Sequence, residues 1–407
     1  LKFKRIWIFI LIIILAFGSW GCTQKENSNK DKQIIIYVDI KDTRSVNVLK
    51  SLIDGYKDKN SGVSVNIVSS LGGKAEEDLN KGSSSDIILT SRNNMINLTS
   101  KGYLSVMKNY YEENKIDERY YSIVNSYGRY NDKSYGMPML VSSLEILYNL
   151  DAIKKMNLSE PKDINGLNNL MLNLNKNSTR IPVVINENKD INSELFSLIV
   201  NNTVDINKLD NNYDSGFEAY RNISGMKKSF DILKNMVTTG VLGMHTFEMG
   251  NESTISKFSK GDIPLIVVTS GYVNELKKGN IKLFENYSSF EAYRGIIPII
   301  SDVMICVSVS SKNGEEVNKF IKYIFSDDTQ KKLVESGFVS GNKDINKANE
   351  GIGAAFASHL SKANENSIIY TDTIPNKLRE AIESRLDLIL SGKFSNNEWE
   401  ELLKNIY

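Results

Sequence analysis

The feature that most constrains this 407-residue chain is a recurrence of short, unbroken apolar runs separated by amphipathic helical patterns. Residues 34–38 read Ile-Ile-Ile-Tyr-Val, a continuous apolar run suited to a strand buried on both faces. Val46, Leu49, Ile53 and Tyr56 follow at helical spacing, and the pattern ends near Asn60, Ser61 and Gly62. Val63, Val65 and Ile67 alternate as a second strand. A short polar helix is expected over 75–79, then a third strand at Asp86-Ile87-Ile88-Leu89. Strand, helix, strand, helix, strand is the order of an α/β sheet with parallel pairs.

The alternation recurs downstream. Buried strands are expected at 181–185, 263–268 and 303–309, with helices over 226–236 and 315–325. In the latter, Val317, Phe320, Ile321 and Ile324 share one apolar face. Two helices close the chain. Pro375 opens the first, which carries Leu378, Ile382, Leu386 and Ile389 and stops at Gly392. Ser395 and Glu398 have capping-box spacing for the second, which carries Trp399, Leu402, Leu403 and Ile406.

The amino-terminal stretch has a different character. Lys2, Lys4 and Arg5 precede an apolar run over 6–17, followed by Gly18-Ser19-Trp20-Gly21-Cys22. The run is short for a membrane span, which needs about 20 apolar residues, and has the layout of a signal segment. The pattern resembles a bacterial lipoprotein signal over 1–21, with Cys22 as the lipidated residue; Ser19 stands where an aliphatic residue is usual. An uncleaved anchor is the alternative, and either form exports the body. Residues 22–33 are polar and read as a flexible tether.

Composition excludes several functions. Lys and Arg number 50 against 49 Asp and Glu, without long blocks of one sign, which disfavours a nucleic-acid partner. The 41% apolar content is that of a folded globular chain. Beyond Cys22 only Cys306 remains, inside an apolar run, so no disulfide framework or thiolate metal site is expected. Cys306 reads as a small core residue, and His245 and His359 as surface or structural imidazoles. No metal or cofactor is expected. There is no G-x-S-x-G elbow, H-E-x-x-H or P-loop, so the chain is expected not to be an enzyme. A glycosidase needs only two carboxylates, and composition leaves that alternative open.

Several stretches resemble, in order, the sugar-binding group of bacterial ABC-importer extracellular solute-binding proteins, the group that includes maltose-binding protein. They are Asp86-Ile87-Ile88 with Lys101-Gly102-Tyr103-Leu104, and Tyr135-Gly136-Met137-Pro138 with Leu147-Tyr148-Asn149-Leu150-Asp151. Phe258-Ser259-Lys260-Gly261-Asp262 before a strand and Gly271 continues the series. Ser311-Lys312-Asn313 with the following helix and Gln330, then Gly337-Phe338-Val339, completes it.

The resemblance implies an α/β fold: a two-lobed, periplasmic-binding-protein-like clamp with a multi-strand hinge, closing on a ligand between the lobes. Lobe 1 would comprise residues 34–140 with 300–338, and lobe 2 residues 141–299 with 339–407. The implied function is capture of a carbohydrate, an oligosaccharide by preference, and delivery to ABC permease subunits. The protein would be monomeric and lipid-anchored at the extracellular face of a cell without an enclosed periplasm. A sensory lipoprotein serving a membrane kinase, or a binder of a non-sugar solute, is the alternative.

Strand ends in such sheets face the crevice. The candidate ligand residues are therefore Asp39, Lys41 and Asp42, then Thr90, Ser91, Arg92 and Asn93; the resemblance adds Ser142, Ser143 and Glu145, just past Pro138. Tyr272 stands where the family often places a ring-stacking Trp, and Tyr370 and Tyr293 are further stacking candidates. For Glu145 and the tyrosines, packing roles stand beside the ligand roles. Trp399 reads as core.

Overall fold

The computed structural model describes residues 32–69, 75–82, 84–276, 278–289 and 293–407. The signal segment, Cys22 and most of the tether lie outside the described residues. Strand β1 (Lys32–Val38) begins within the segment expected as tether. It lies parallel between β2 (Val63–Ser69) and β3 (Ile87–Thr90), with Ile36 opposite both Ile67 and Ile87. β2 is the sheet edge, and only Val65 in it is buried; Ile67, of the same alternating set, is exposed. The helix Thr43–Lys59 returns from β1 to β2 and buries Leu49, Leu52, Ile53 and Tyr56.

A two-residue hairpin, β4 (Arg129–Tyr130) and β5 (Lys133–Ser134), precedes the strand that joins the lobes. That strand, β6 (Gly136–Asn149), is buried at every position. Further on come β7 (Ile181–Val184), β8 (Phe247–Met249), β9 (Leu265–Thr269), β10 (Ile281–Leu283) and β11 (Ile299–Val307). The main sheet runs β2-β1-β3-β11-β6-β9-β7-β8, with β10 also on β6.

The two-lobed form follows from β6. Its first half pairs antiparallel with β11, which itself pairs with β3 of the first lobe. Its second half, from Leu144 to Tyr148, pairs with β9 of the second lobe. The changeover falls at Ser142 and Ser143, opposite Ile300 and Ile299. Pro138 pairs with Met304 inside the first-lobe sheet, short of the crossing. A third passage runs alongside, where Ile369 N–H donates to Ile299 O at 3.0 Å. The hinge is therefore built from several chain passages, a known basis for domain closure.

Residues just past 338 stay on the first lobe. Tyr121 N–H donates to Gly341 O at 3.0 Å, and Ser340 Oγ to Gln330 Oε1 at 2.6 Å. The helix Gly351–Lys362 then packs on the second lobe against β6 and β10. The division expected between 338 and 339 thus meets first-lobe contacts on both sides.

In the second lobe, the helices Ser224–Thr238 and Asn376–Leu390 enclose the core with Glu398–Lys404. Trp399 is 2% exposed and stacks on Phe230, its indole N–H donating to Tyr220 O at 3.0 Å. The expected capping box forms by half: Glu398 accepts from Ser395 N–H, while Ser395 Oγ accepts from Asn397 N–H at 3.2 Å. Gly261 takes φ +80° in the turn from the helix Glu252–Ser259 into β9, a conformation that favours glycine. Cys306 is fully buried in β11, which pushes its thiol pKa up and keeps it protonated. No described helix is long and apolar enough to cross a membrane.

Candidate functional site

Between the lobes lies a polar cavity of about 390 Å³. First-lobe strand ends supply one side: Asp39, Lys41 and Asp42 after β1, and Ser91, Asn93 and Asn94 after β3. The second lobe supplies Asn186, Asn188 and Lys189 after β7, Asp372 from the turn Tyr370–Asp372, and Asn376 and Arg379 at the start of the following helix. Ser301 and Asp302 come from the hinge, and Asn97 and Glu76 extend the first-lobe side. The carboxyl ends of strands point into the crevice, as this sheet type requires.

Helix caps hold the loops in place. Asp42 accepts from Ser45 N–H at 2.7 Å and caps the helix Thr43–Lys59. Ser91 accepts from Asn94 N–H at 3.3 Å and caps Arg92–Ser100. Asp39 accepts from Thr90 Oγ1 at 2.9 Å and Asn94 Nδ2 at 2.8 Å. Burial still raises its pKa, and those hydrogen bonds oppose the rise.

Charged groups also meet on the hinge and second-lobe side. Burial pushes the Asp302 carboxyl up to about 6, with Lys189 and the Asn186 hydrogen bond acting against it. Asn186 Nδ2 donates to Asp302 Oδ1 at 3.4 Å. Burial disfavours the Lys189 ammonium, but Asp372 at 3.3 Å and Glu194 at 3.5 Å outweigh it and raise its pKa. Carboxylates outnumber cationic groups around the cavity, and no described lining residue is aromatic. Such a surface can donate to and accept from paired hydroxyls, and it repels an anion. Among the described residues no cluster of His, Cys, Asp or Glu is arranged to hold a metal ion.

Of the sequence candidates, Asp39, Lys41, Asp42, Ser91 and Asn93 line this cavity. The others sit elsewhere, each for a physical reason. Thr90 is fully buried, and its hydroxyl serves Asp39. Arg92 is fully buried in a bidentate pair with Asp210 at 2.7 and 3.0 Å, and also donates to the carbonyls of Tyr127, Arg129 and Asp372. Its guanidinium has no donor left for a ligand.

Ser142 is buried in β6, 3.4 Å from where a Cβ on Gly271 would stand. Ser143 is also buried, its backbone N–H bonded to Ser270 Oγ at 2.9 Å. Glu145 is 0% exposed and its Oε1 lies 2.9 Å from His359 Nδ1. Tyr370 is 0% exposed, hydrogen-bonded to Ser193 Oγ at 2.8 Å and edge-on to Phe196. Tyr293 lines an apolar space inside the second lobe with Phe196 and Met171. Tyr272 is half-buried, but the Arg44 guanidinium lies 3.7 Å from its ring centroid.

Asn186, Asn188, Lys189 and Asp302 were missed by the sequence reading. The strand-end rule, applied to 181–185 as it was to 34–38, would have reached the first three. Asp302 was hidden because β11 begins four residues before Val303, across a register shift between Ser301 and Val303.

Comparison with known proteins agrees with this geometry. The family model for bacterial extracellular solute-binding proteins matches residues 51–357. No curated protein matches the chain by sequence. Among solved structures, a chitin oligosaccharide binding protein superposes with a TM-score of 0.69 at 15% identity, over 92% of this chain and 98% of its own. The sugar-binding protein MalE of Xanthomonas citri gives 0.68 at 16%, over 92% and 96%. The GacH receptor of Streptomyces glaucescens, solved unliganded and with acarbose, gives 0.66 at 16%, over 92% and 97%. At these identities the superpositions establish the shared two-lobed fold, and the family match carries the assignment: the chain belongs to the bacterial extracellular solute-binding proteins, which are binding receptors and not enzymes.

Proposed function

We propose that this protein captures a neutral carbohydrate in the cleft between its lobes and presents it to the permease of an ABC importer. The observation that carries the reading is the cavity itself. Asn93, Asn94 and Asn97 face it from the first lobe, and Asn186, Asn188 and Asn376 from the second, with carboxylates interleaved. Side-chain amides both donate and accept, which suits adjacent hydroxyls. The excess of carboxylates disfavours sugar acids and phosphates. The similar structures include receptors described with chitin oligosaccharide and acarbose, which supports the carbohydrate class.

The cavity volume suits a small solute and sits within the usual range of about 300–1,000 Å³ for ligand pockets. Without an aromatic lining, hydrogen bonds rather than stacked rings would set specificity. We place the passage from first to second lobe near residue 349, after the contacts of Ser340 and Gly341. Attachment through Cys22 would keep the receptor near its permease at raised effective concentration.

A thermal-shift screen against sugars, sugar acids, polyols and peptides tests the reading. A ligand at about 100 times its dissociation constant adds about 2.7 kcal/mol of stability. Shifts confined to neutral sugars support the proposal. Shifts from another solute class alone overturn it.

A further inference from the structure

Tyr272 stands where a ring-stacking side chain was expected, yet one of its ring faces is already covered. Arg44, at the start of the first-lobe helix Thr43–Lys59, places its guanidinium carbon 3.7 Å from the Tyr272 centroid and 4.7 Å from that of Phe338. Its Nη2 also donates to Gly271 O. The adjacent Thr43 donates from its N–H and its hydroxyl to Glu187 Oε1, at 3.3 and 2.7 Å. Glu187 follows β7, and Gly271 and Tyr272 follow β9, so all three belong to the second lobe. One turn of one first-lobe helix thus grips two second-lobe loops close to the hinge crossing, where Ser142 lies 3.4 Å from where a Cβ on Gly271 would stand. Asp42, which caps that turn, lines the cavity itself.

These contacts join side chains of one lobe to loops of the other, so a lobe rotation that draws the loops away from the helix must break them. A guanidinium over an aromatic face is attractive and cannot be shared there with a sugar ring. We infer that Arg44 is a closure latch that takes one ring face of Tyr272, so that this face couples lobe to lobe and not lobe to solute. The solute is then held by hydrogen bonds on the Asp39 and Asp302 side, a consequence that rests on the cleft reading above. The latch itself does not depend on that reading, because it acts on the free protein. It biases the lobes toward the closed population, and its loss releases an aromatic surface inside the open cleft.

Pulsed electron–electron distance measurements between nitroxides test this. The labels go on Lys50→Cys and Lys257→Cys, both exposed and on opposite lobes, with Cys22→Ser to silence the tether thiol. In the ligand-free full chain, Arg44→Ala and Tyr272→Leu should each shift the distribution to longer distances. The combined variant should shift it no further. Tyr272→Phe, which keeps the ring face, should match the parent, and Arg44→Lys should fall between parent and Arg44→Ala. An unchanged distribution in Arg44→Ala, or additive shifts in the combined variant, overturns the latch. The two readings fail separately. Open lobes in Arg44→Ala with no carbohydrate bound by any variant support the latch and sink the cleft reading. Carbohydrate binding lost in cleft variants, with lobes unmoved by Arg44→Ala, does the reverse.

Discussion

Two arginines span the lobes, and they do opposite work. Arg92 lies at the hinge side, fully buried, with Asp210 of the second lobe and three backbone carbonyls as partners. Beside it Tyr127 donates to Ile299 O on the hinge strand. Arg44 lies beside Gly271, also near the hinge crossing but half-buried, on two ring faces and one carbonyl. A saturated, dry site is costly to break and acts as a fixed axle. A half-wet contact of one charge on a ring is weak enough to open and close within a binding cycle. Burial, not residue type, separates the two roles.

The sharpest break of this comparison comes from removing each arginine in turn. Arg92→Ala strands the Asp210 carboxylate and several carbonyls, and should cost about 3–5 kcal/mol in urea unfolding. Arg44→Ala should cost about 0.5–2 kcal/mol by the same measurement. Equal losses would erase the distinction between axle and latch.

The next effect concerns the cleft. Asp302→Asn should weaken ligand binding by about tenfold or more, since a hydrogen bond to a charged group contributes about 1.5–3 kcal/mol. Because burial lifts the Asp302 pKa to about 6, parent affinity should rise as pH climbs through that value and the carboxylate ionises. Asp302→Asn should flatten this rise in a calorimetric titration series. Its effect on stability has the opposite sign. A carboxyl with a raised folded pKa is most favourable when protonated, so its contribution falls as pH rises from about 4 to 6.

A third expectation involves the buried Glu145 and His359. Burial alone would lower the imidazole pKa, but the Glu145 carboxylate raises it above its ordinary 6.5. The stabilisation is complete below that ordinary value and is lost as pH rises through the raised one. Glu145→Gln should remove this fall from a series of unfolding curves. The smallest effect belongs to Tyr370→Phe, which deletes the hydrogen bond to Ser193 and should cost about 0.5–1.5 kcal/mol. Ligand affinity should not change, because Tyr370 lies outside the cavity.

These placements show what the sequence could and could not carry. The first strands and their parallel pairing were legible because apolar runs and helical spacing report burial directly, as at 34–38 and 315–325, whereas the antiparallel pairing of β6 with β11 and β9 was not. Cleft residues after β1 were legible because topology dictates where strand ends point. Arg92, Glu145 and Tyr370 were misplaced because a polar residue near a strand end reads the same whether it meets solvent, ligand or a buried partner. Their partners Asp210, His359 and Ser193 lie far away in sequence, and no local pattern links them. Tyr272 failed differently. It stands between the lobes, but one face of its ring is taken by an arginine from the other lobe.

The central claim is that solute binds in the inter-lobe cavity, and calorimetric titration with the tightest sugar from the thermal screen tests it most directly. Parent protein, Asn186→Ala, Asp302→Asn and, as a control from the second-lobe interior, Tyr293→Phe are compared at one pH. The account predicts affinity losses of about tenfold or more in the two cleft variants and none in the control. Unchanged affinity in both cleft variants would contradict it.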